Sequence, residues 1–352
     1  MTSADRDRIG IGLVGTGVAA RMHAESLGRT STARVVAVAD IDEARARTFA
    51  DEWHIPRAYG NAQDLIADAE VEAVHLCTPP YLREPLTRAC AGAGKHVMAE
   101  KPMARDLPEA DAMIEVCRRA GVQLAVVFNH RFMPLPRRLK DGLVEGVLGR
   151  VFLAEGHVKW WRASEYYGGS DWRGTEAKEG GGILINQAIH TIDLLLWLLG
   201  PVSEVTGYTT RGLHAIECED TAVAVVQFQS GALATLSAST AAYPGASERL
   251  ELYGTQGSVL LAESDGIVEW RLRGGRQWRD DVGVAGETGR DPASLALDGH
   301  VAQFEDFAAA IRAGRRPAVD GVEGRKALEL VRAVYLANRK RLPVQLPVKD
   351  EA

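Results

Sequence analysis

The strongest chemical signal in the chain is a run of small residues after an apolar stretch: Gly15, Thr16, Gly17, Val18, Ala19 and Ala20 follow Ile9–Val14 in the pattern GxGxxA. Gly15 permits a tight turn, Gly17 lets the backbone approach a pyrophosphate, and Ala20 is small enough for close helix-to-strand packing. The start of the following helix offers free N–H groups and a positive dipole end. A second apolar run ends at Asp40, about twenty residues past the turn, the place where a carboxylate accepts hydrogen bonds from an adenosine ribose. That carboxylate would repel a 2'-phosphate, so NAD is expected over NADP. Arg45 and Arg47, a turn further on, keep the NADP alternative in view.

A second constellation lies in a long apolar helix expected over Ile183–Leu199. Asn186, His190, Asp193 and Trp197 fall at i, i+4, i+7 and i+11, one stripe of a helix whose other positions are almost all apolar. Polar groups on a buried stripe need partners. A lone histidine there is usually a satisfied core residue, but several aligned polar groups after Gly180-Gly181-Gly182 favour a site. Metal ligation by His190 and Asp193 lacks a third ligand, so no metal is expected. Arg162, Tyr166 and Tyr167 suit sugar binding by stacking and hydrogen bonding.

The elements that must position these groups divide the chain. The first third alternates apolar runs, Ile9–Val14, Arg34–Ala39, Val71–Cys77, His96–Ala99 and Gln123–Phe128, with helical stretches at Asp42–Trp53, Leu82–Ala93 and Leu107–Ala120. This is the βαβ pattern of a doubly wound parallel sheet, a Rossmann domain over residues 1–128 in an α/β protein. Residues 129–352 read as an α+β domain with an open, mostly antiparallel sheet. Its strands are expected at Val151–Trp161, Val202–Tyr208, Thr221–Phe228, Ala232–Ala241, Arg249–Tyr253 and Gly257–Leu261, and its last helices near His300–Ala313 and Gly324–Lys340. Gly274–Gly289, polar and glycine-rich, reads as a mobile loop.

The chain has 352 residues, 46% hydrophobic and 25% charged, with a net charge of -6 spread along it. No basic block marks a nucleic-acid partner, and no apolar run suits a signal peptide or membrane span, so a cytoplasmic enzyme is expected. Cys77, Cys90, Cys117 and Cys218 lie far apart without a CxxC pair, against both a zinc cluster and a disulfide framework. Cys77 reads as a small buried hydrophobe.

With Cys77-Thr78-Pro79-Pro80, Glu100-Lys101-Pro102, the triple glycine leading to His190, and Phe307-Ala-Ala-Ala-Ile-Arg-Ala-Gly-Arg-Arg-Pro317, the chain resembles the glucose-fructose oxidoreductase / inositol dehydrogenase (Gfo/Idh/MocA) family over nearly its whole length. The resemblance implies that Lys101 stands beside the nicotinamide and the reacting carbon, and that His190 helps handle the hydroxyl proton. A lysine serves in that way only with a pKa well below about 10.4, which burial and a cationic nicotinamide promote. Thr78, Pro79 and Glu100 are implied at the cofactor. Trp172 and Arg173 are implied to approach cofactor or substrate across a cleft, and His130 to contact substrate.

Asn186 stands where better-known members carry aspartate. It can orient His190 or bind a hydroxyl but cannot take a proton. Arg83, where many relatives have histidine, is either a helix-surface residue or a cleft-edge one. The function implied is oxidation of a polyhydroxylated substrate, with a catalytically silent dinucleotide-binding regulator and an NADP-linked ketone or imine reductase as alternatives. A homodimer or homotetramer is expected through a bare face of the second sheet.

Overall fold

The computed structural model describes residues 8–262, 266–281 and 297–349. Two compact units divide the chain: Met1–Asn129 with Leu297–Arg325, and His130–Ala296 with Lys326–Ala352. The expected split into 1–128 and 129–352 misses the return of 297–325 to the first unit. The return has a physical reason. The last strand of the first sheet has an edge to satisfy, and the returning chain satisfies it: the Val126 N–H donates to Val319 O at 3.0 Å, Gln303 Nε2 donates to Val126 O at 2.7 Å, and Ala125 bridges Asp320. Phe304, Phe307 and Ala308 of the same segment complete the unit's core.

The first sheet comprises β1 (Ile9–Val14), β2 (Ala33–Ala39), β3 (Arg57–Tyr59), β4 (Ala73–Leu76), β5 (His96–Ala99) and β6 (Leu124–Val126). All pairings are parallel, in the order β3-β2-β1-β4-β5-β6. Valine-, isoleucine- and alanine-rich runs buried on both faces give this arrangement, as in β1, where every residue is buried. β3 is only three half-buried residues long and left no pattern in the sequence. Strand order reverses between β1 and β4, so the groups carried just beyond the carboxyl ends of β1, β4 and β5 lie at a topological switch point.

The second sheet runs β14-β13-β12-β11-β7-β10-β9-β8-β15. Its strands are β7 (Val151–Lys159), β8 (Val202–Thr210), β9 (Thr221–Phe228), β10 (Leu233–Ser239), β11 (Arg249–Gly254), β12 (Gly257–Ala262), β13 (Ile267–Leu272), β14 (Gln277–Asp281) and β15 (Val344–Gln345). Only the pairing of β7 with β10 is parallel among those described. Part of the expected loop at Gly274–Gly289 is therefore strand β14, and residues 282–289 of it lie outside the described residues.

Period-two alternation sends Ala222, Ala224, Val226 and Phe228 of β9 inward and leaves Val223 and Val225 about half exposed. The inward face meets the helix Ile189–Leu199, which approaches closely because residue 156 is glycine: a Cβ there would lie 3.2–3.3 Å from Thr191, Leu195 and Leu236.

The expected helix over Ile183–Leu199 is two helices, Ile183–Asn186 and Ile189–Leu199. The axis bends by 56° between the Glu176–Asn186 segment and Ile189–Leu199. The triple glycine is needed for close approach: a Cβ on Gly181 would fall 2.2 Å from the Tyr335 hydroxyl, and one on Gly182 1.8 Å from Glu219 O. Glu219 then caps the short helix, accepting from the N–H groups of Gly182 at 2.9 Å and Leu184 at 3.0 Å, with Tyr335 donating to it at 2.7 Å. Among the described residues no single helix is long and apolar enough to cross a membrane.

Candidate active site

Beyond β1, Gly15 has φ +97°, and a Cβ on it would lie 2.8 Å from Cys77 O. Only glycine occupies that position without strain. Gly17 opens the helix Val18–Arg29 with no side-chain cap, and the space where its Cβ would point is empty. The first N–H groups of the helix, at Val18, Ala19 and Ala20, are thus left to an anion, and the cradle fits a dinucleotide pyrophosphate.

Asp40 is buried beside this turn. One of its carboxylate oxygens accepts from the Thr16 N–H at 3.1 Å and the Thr16 hydroxyl at 2.6 Å, and the other from the Asp42 N–H at 3.1 Å. Arg45 Nη2 lies 3.3 Å from the Thr16-bound oxygen. Ile41, next in the chain, is 95% exposed, an apolar surface at a point where burial is normal for its type.

The turns after β4 and β5 are fastened to each other by Arg83. Its guanidinium is buried and donates to Thr78 O at 2.6 and 3.0 Å, to Glu100 O at 2.8 Å and to Pro102 O. Neither the surface nor the cleft-edge reading of Arg83 holds: it is a backbone clamp on the Thr78-Pro79-Pro80 and Glu100-Lys101-Pro102 turns. Lys101, half-buried, follows a carboxylate that is itself pinned. Glu100 accepts from the Lys101 N–H at 2.9 Å and from His23 Nε2 at 2.5 Å. Burial would raise the Glu100 carboxyl, but the His23 hydrogen bond with the nearby charges of His23, Lys101 and Arg83 holds it well below the carboxylate range.

Beneath this turn His23 and His75 meet edge to face at 4.4 Å, with Phe304 edge-on to both. His75 donates to Met98 O at 3.1 Å, and burial, then His23, keeps its pKa well below the usual value. With Cys77, the two histidines bring three potential ligand atoms within 4.8 Å of one another, a grouping hidden by their spacing in sequence. Burial pushes the Cys77 thiol well up, as expected of a packing residue.

In the second unit the helix Ile189–Leu199 presents His190 half-buried, with its ring stacked on His130 at 4.4 Å and 12°. Asp193, one turn on, is spent on a buried bidentate pair with Arg131, at 2.7 and 2.8 Å. Trp197 lies under Arg131 and Lys140, at 5.9 and 5.6 Å. The expected polar stripe thus splits: Asp193 and Trp197 fasten the helix to the His130–Phe132 segment, His190 stacks on His130, and Asn186 lies on the other side of the bend.

Asn186 donates through Nδ2 to the buried Glu179, which also accepts the Gly174 N–H. Gln187, in the break, donates to the Tyr166 hydroxyl at 3.1 Å. Tyr166 is half-buried, its hydroxyl pushed up by burial, and it carries the Arg173 guanidinium at 4.5 Å and that of Arg162 at 5.7 Å. Arg162 also lies 4.8 Å from Trp160, and Arg173 5.0 Å from Trp172. The result is a wall of alternating rings and guanidinium groups running Trp160, Arg162, Tyr166, Arg173, Trp172. Such a wall offers a polyhydroxylated molecule flat apolar faces edged by N–H donors.

Residues 9–128 match the model of an oxidoreductase family with an NAD-binding Rossmann fold, and residues 137–260 match the GFO/IDH/MocA C-terminal domain. The chain is also 31% identical to the WlbA dehydrogenase of Chromobacterium violaceum, solved with NADH and UDP-GlcNAcA. That structure superposes with a TM-score of 0.86 over 98% of this chain and 97% of the other. The chain belongs to the Gfo/Idh/MocA oxidoreductase family.

Within this family it is 28% identical to the myo-inositol 2-dehydrogenase of Thermotoga maritima over 96% of this chain and 98% of that protein. It is 29% identical to D-xylose 1-dehydrogenase (NADP(+)) 2 of Haloferax volcanii over 90% and 94%. Relatives named for both sugars and cyclitols, and for NADP as well as complexes with NADH, make the Gfo/Idh/MocA chain a dehydrogenase-type oxidoreductase at this coarser level.

Sequence reasoning missed Glu179, Gln187, Arg131 and His23 as partners of the candidate residues. A buried glutamate just before the triple glycine was the one readable clue, since Glu179 sits where a helix end meets glycines and a charge there needs donors.

Proposed function

We propose that the protein is an NAD-dependent dehydrogenase that oxidises a secondary hydroxyl of a sugar, glycoside, sugar nucleotide or cyclitol. The observation that carries this reading is the wall of guanidinium and aromatic groups built by Arg162, Tyr166, Trp172 and Arg173, joined through Tyr166 to Gln187 in the helix break between Asn186 and Ile189. Bound NAD supplies the hydride acceptor. The chain's own residues do the rest: the Gly15–Ala20 turn takes the pyrophosphate, Asp40 the ribose, and Ile41 gives the adenine an apolar face. Thr78, Pro79 and Glu100 shape the strand ends near the nicotinamide. Lys101 and His190 handle the hydroxyl proton, with His130 stacked behind His190 to hold its ring.

NAD is favoured over NADP because the Asp40 carboxylate, held by Thr16, meets a 2'-phosphate with like charge. The NADP reading draws on Arg45, 3.3 Å from that carboxylate and largely exposed. A measured preference for NADPH over NADH would reverse the assignment. Reduction of NAD with a panel of sugars, sugar nucleotides and inositols tests the activity: one or more polyols should give NADH, and binding of NADH without turnover on any would favour a silent regulator.

The outer face of the second sheet supports self-association. Tyr208, Val223, Val225 and Leu233 are exposed at 64, 50, 47 and 48%, and the strand registers put them on one face with Thr206, Thr235 and Ser237. A second copy of the chain, forming a homodimer or homotetramer, is the proposed occupant. A monomeric mass by light scattering at micromolar concentration would remove it.

A further inference from the structure

We propose that His23, His75 and Cys77 form a binding site for a single divalent cation of the zinc type beneath the Glu100-Lys101-Pro102 turn. One ligand atom from each, a ring nitrogen of either histidine and the Cys77 Sγ, lies within 4.8 Å of the other two. The site does not depend on which substrate the enzyme takes.

His23 and His75 are 0% and 1% exposed, and each ring has one nitrogen paired and one bare. His75 Nδ1 faces Met98 O, and a carbonyl oxygen only accepts, so Nδ1 carries the proton and Nε2 presents a lone pair. The ionised Glu100 carboxylate likewise takes the proton of His23 Nε2, leaving Nδ1 as the nitrogen open to a ligand. Neither His23 Nδ1 nor His75 Nε2 has a hydrogen-bond partner among the described residues, although both atoms are buried. Buried polar atoms are normally satisfied.

A metal-bound histidine usually gives its other ring nitrogen to a carboxylate or a backbone carbonyl, which fixes the tautomer and aims the lone pair. Glu100 and Met98 O supply those two partners here. Packing against Phe304 accounts for the edge-to-face contacts of the rings but gives the two bare nitrogens nothing to bind.

Two imidazoles and a thiolate are a donor set for zinc, whereas magnesium and calcium take oxygen. A point equidistant from three atoms 4.8 Å apart lies about 2.8 Å from each, so zinc bonds of about 2.0–2.3 Å ask for inward shifts of about 0.5–0.8 Å. Small side-chain rotations cover that range. As the S–Zn bond forms the Cys77 S–H bond breaks and its proton leaves to solvent, the ion's charge stabilising a thiolate that burial alone disfavours. The ion ties the helix Val18–Arg29, which starts at the dinucleotide turn, to the end of β4, and through His23 it reaches Glu100, the neighbour of Lys101.

Zinc chloride and cobalt chloride, each added alone to the metal-stripped full-length protein, test the site. One Zn2+ per chain should bind with about micromolar affinity or better by calorimetry and raise Tm by a few degrees. Co2+ should give the near-ultraviolet thiolate-to-cobalt absorption of a cysteine-bound ion. Cys77→Ser should abolish that absorption, and Cys77→Ser and His75→Phe should each weaken Zn2+ binding about a hundredfold or more, while His190→Ala leaves it unchanged.

A wild type that binds no Zn2+ at about a hundred times that concentration, or a cobalt complex without the thiolate absorption, overturns the site. Both readings are made on the wild type and hold even if a variant fails to fold. Zinc affinity that survives Cys77→Ser and His75→Phe also overturns it, as does binding lost in His190→Ala and kept in Cys77→Ser, which would place the ion at the stacked His130–His190 pair.

Discussion

The turn at Gly15–Ala20 and the break at Asn186–Ala188 both put hydrogen-bonding groups at the end of an apolar element, but they use different materials. In the first unit the groups are backbone N–H at an uncapped helix start, and the side chains that matter are those small enough to be absent. In the second unit the helix start is capped by Glu219, and the polar side chains around the break are held by buried partners: Asn186 by Glu179, Asp193 by Arg131 and Tyr166 by Gln187. Backbone recognition suits a cofactor shared by a whole family. Side-chain recognition can be retuned from one substrate to another without touching the fold.

The comparison predicts that damage in the two regions separates into chemistry, stability and cofactor affinity. The largest effect is expected from Lys101→Ala and His190→Ala, each lowering kcat by about two to four powers of ten with little change in NADH affinity, measured by steady-state kinetics and NADH fluorescence titration. Next, Arg131→Met leaves Asp193 buried without its bidentate partner. This should cost about 3–5 kcal/mol in urea unfolding, with the Gly15–Ala20 turn untouched.

Asp220 gives a smaller, pH-dependent effect. Burial would raise its carboxyl, but the N–H groups of His214, Gly212 and Leu213 and the Thr221 hydroxyl lower it to about 2. A depressed carboxyl contributes stability above its unfolded value near 4, and that contribution disappears as pH falls through about 2. Asp220→Asn should therefore be less stable by about 2 kcal/mol at neutral pH, with the gap closing in acid unfolding between pH 4 and 2. A constant gap across that window would contradict the assignment. The smallest expected change is in Asp40→Ser, which should weaken NADH about tenfold, improve NADPH relative to it, and leave kcat nearly as it was.

The same contrast explains what was legible beforehand. The parallel strands, the dinucleotide turn and Asp40 could be read because glycine and small-residue requirements are local, and each falls within a few residues of the group it serves. The helix break was not legible: the polar residues of Ile183–Leu199 fit the stripe of one unbroken helix, and the partners that hold the segment, Glu219, Tyr335 and Tyr166, lie far away in the chain. Arg83 was misplaced for a similar reason, since its partners are carbonyls of turns after two other strands. The return of residues 297–325 to the first unit answers an open sheet edge at β6, which no periodicity records.

The most direct test of the central claim, that cofactor recognition and substrate chemistry are carried by different residues, is to measure NADH affinity and kcat on the same preparations of wild type, Asp40→Ser and Lys101→Ala, with a polyol the wild type oxidises. Asp40→Ser should shift the affinity and spare kcat, while Lys101→Ala should spare the affinity and lower kcat at least a hundredfold. A Lys101→Ala protein that keeps most of its turnover, or that loses NADH binding along with it, would contradict the account.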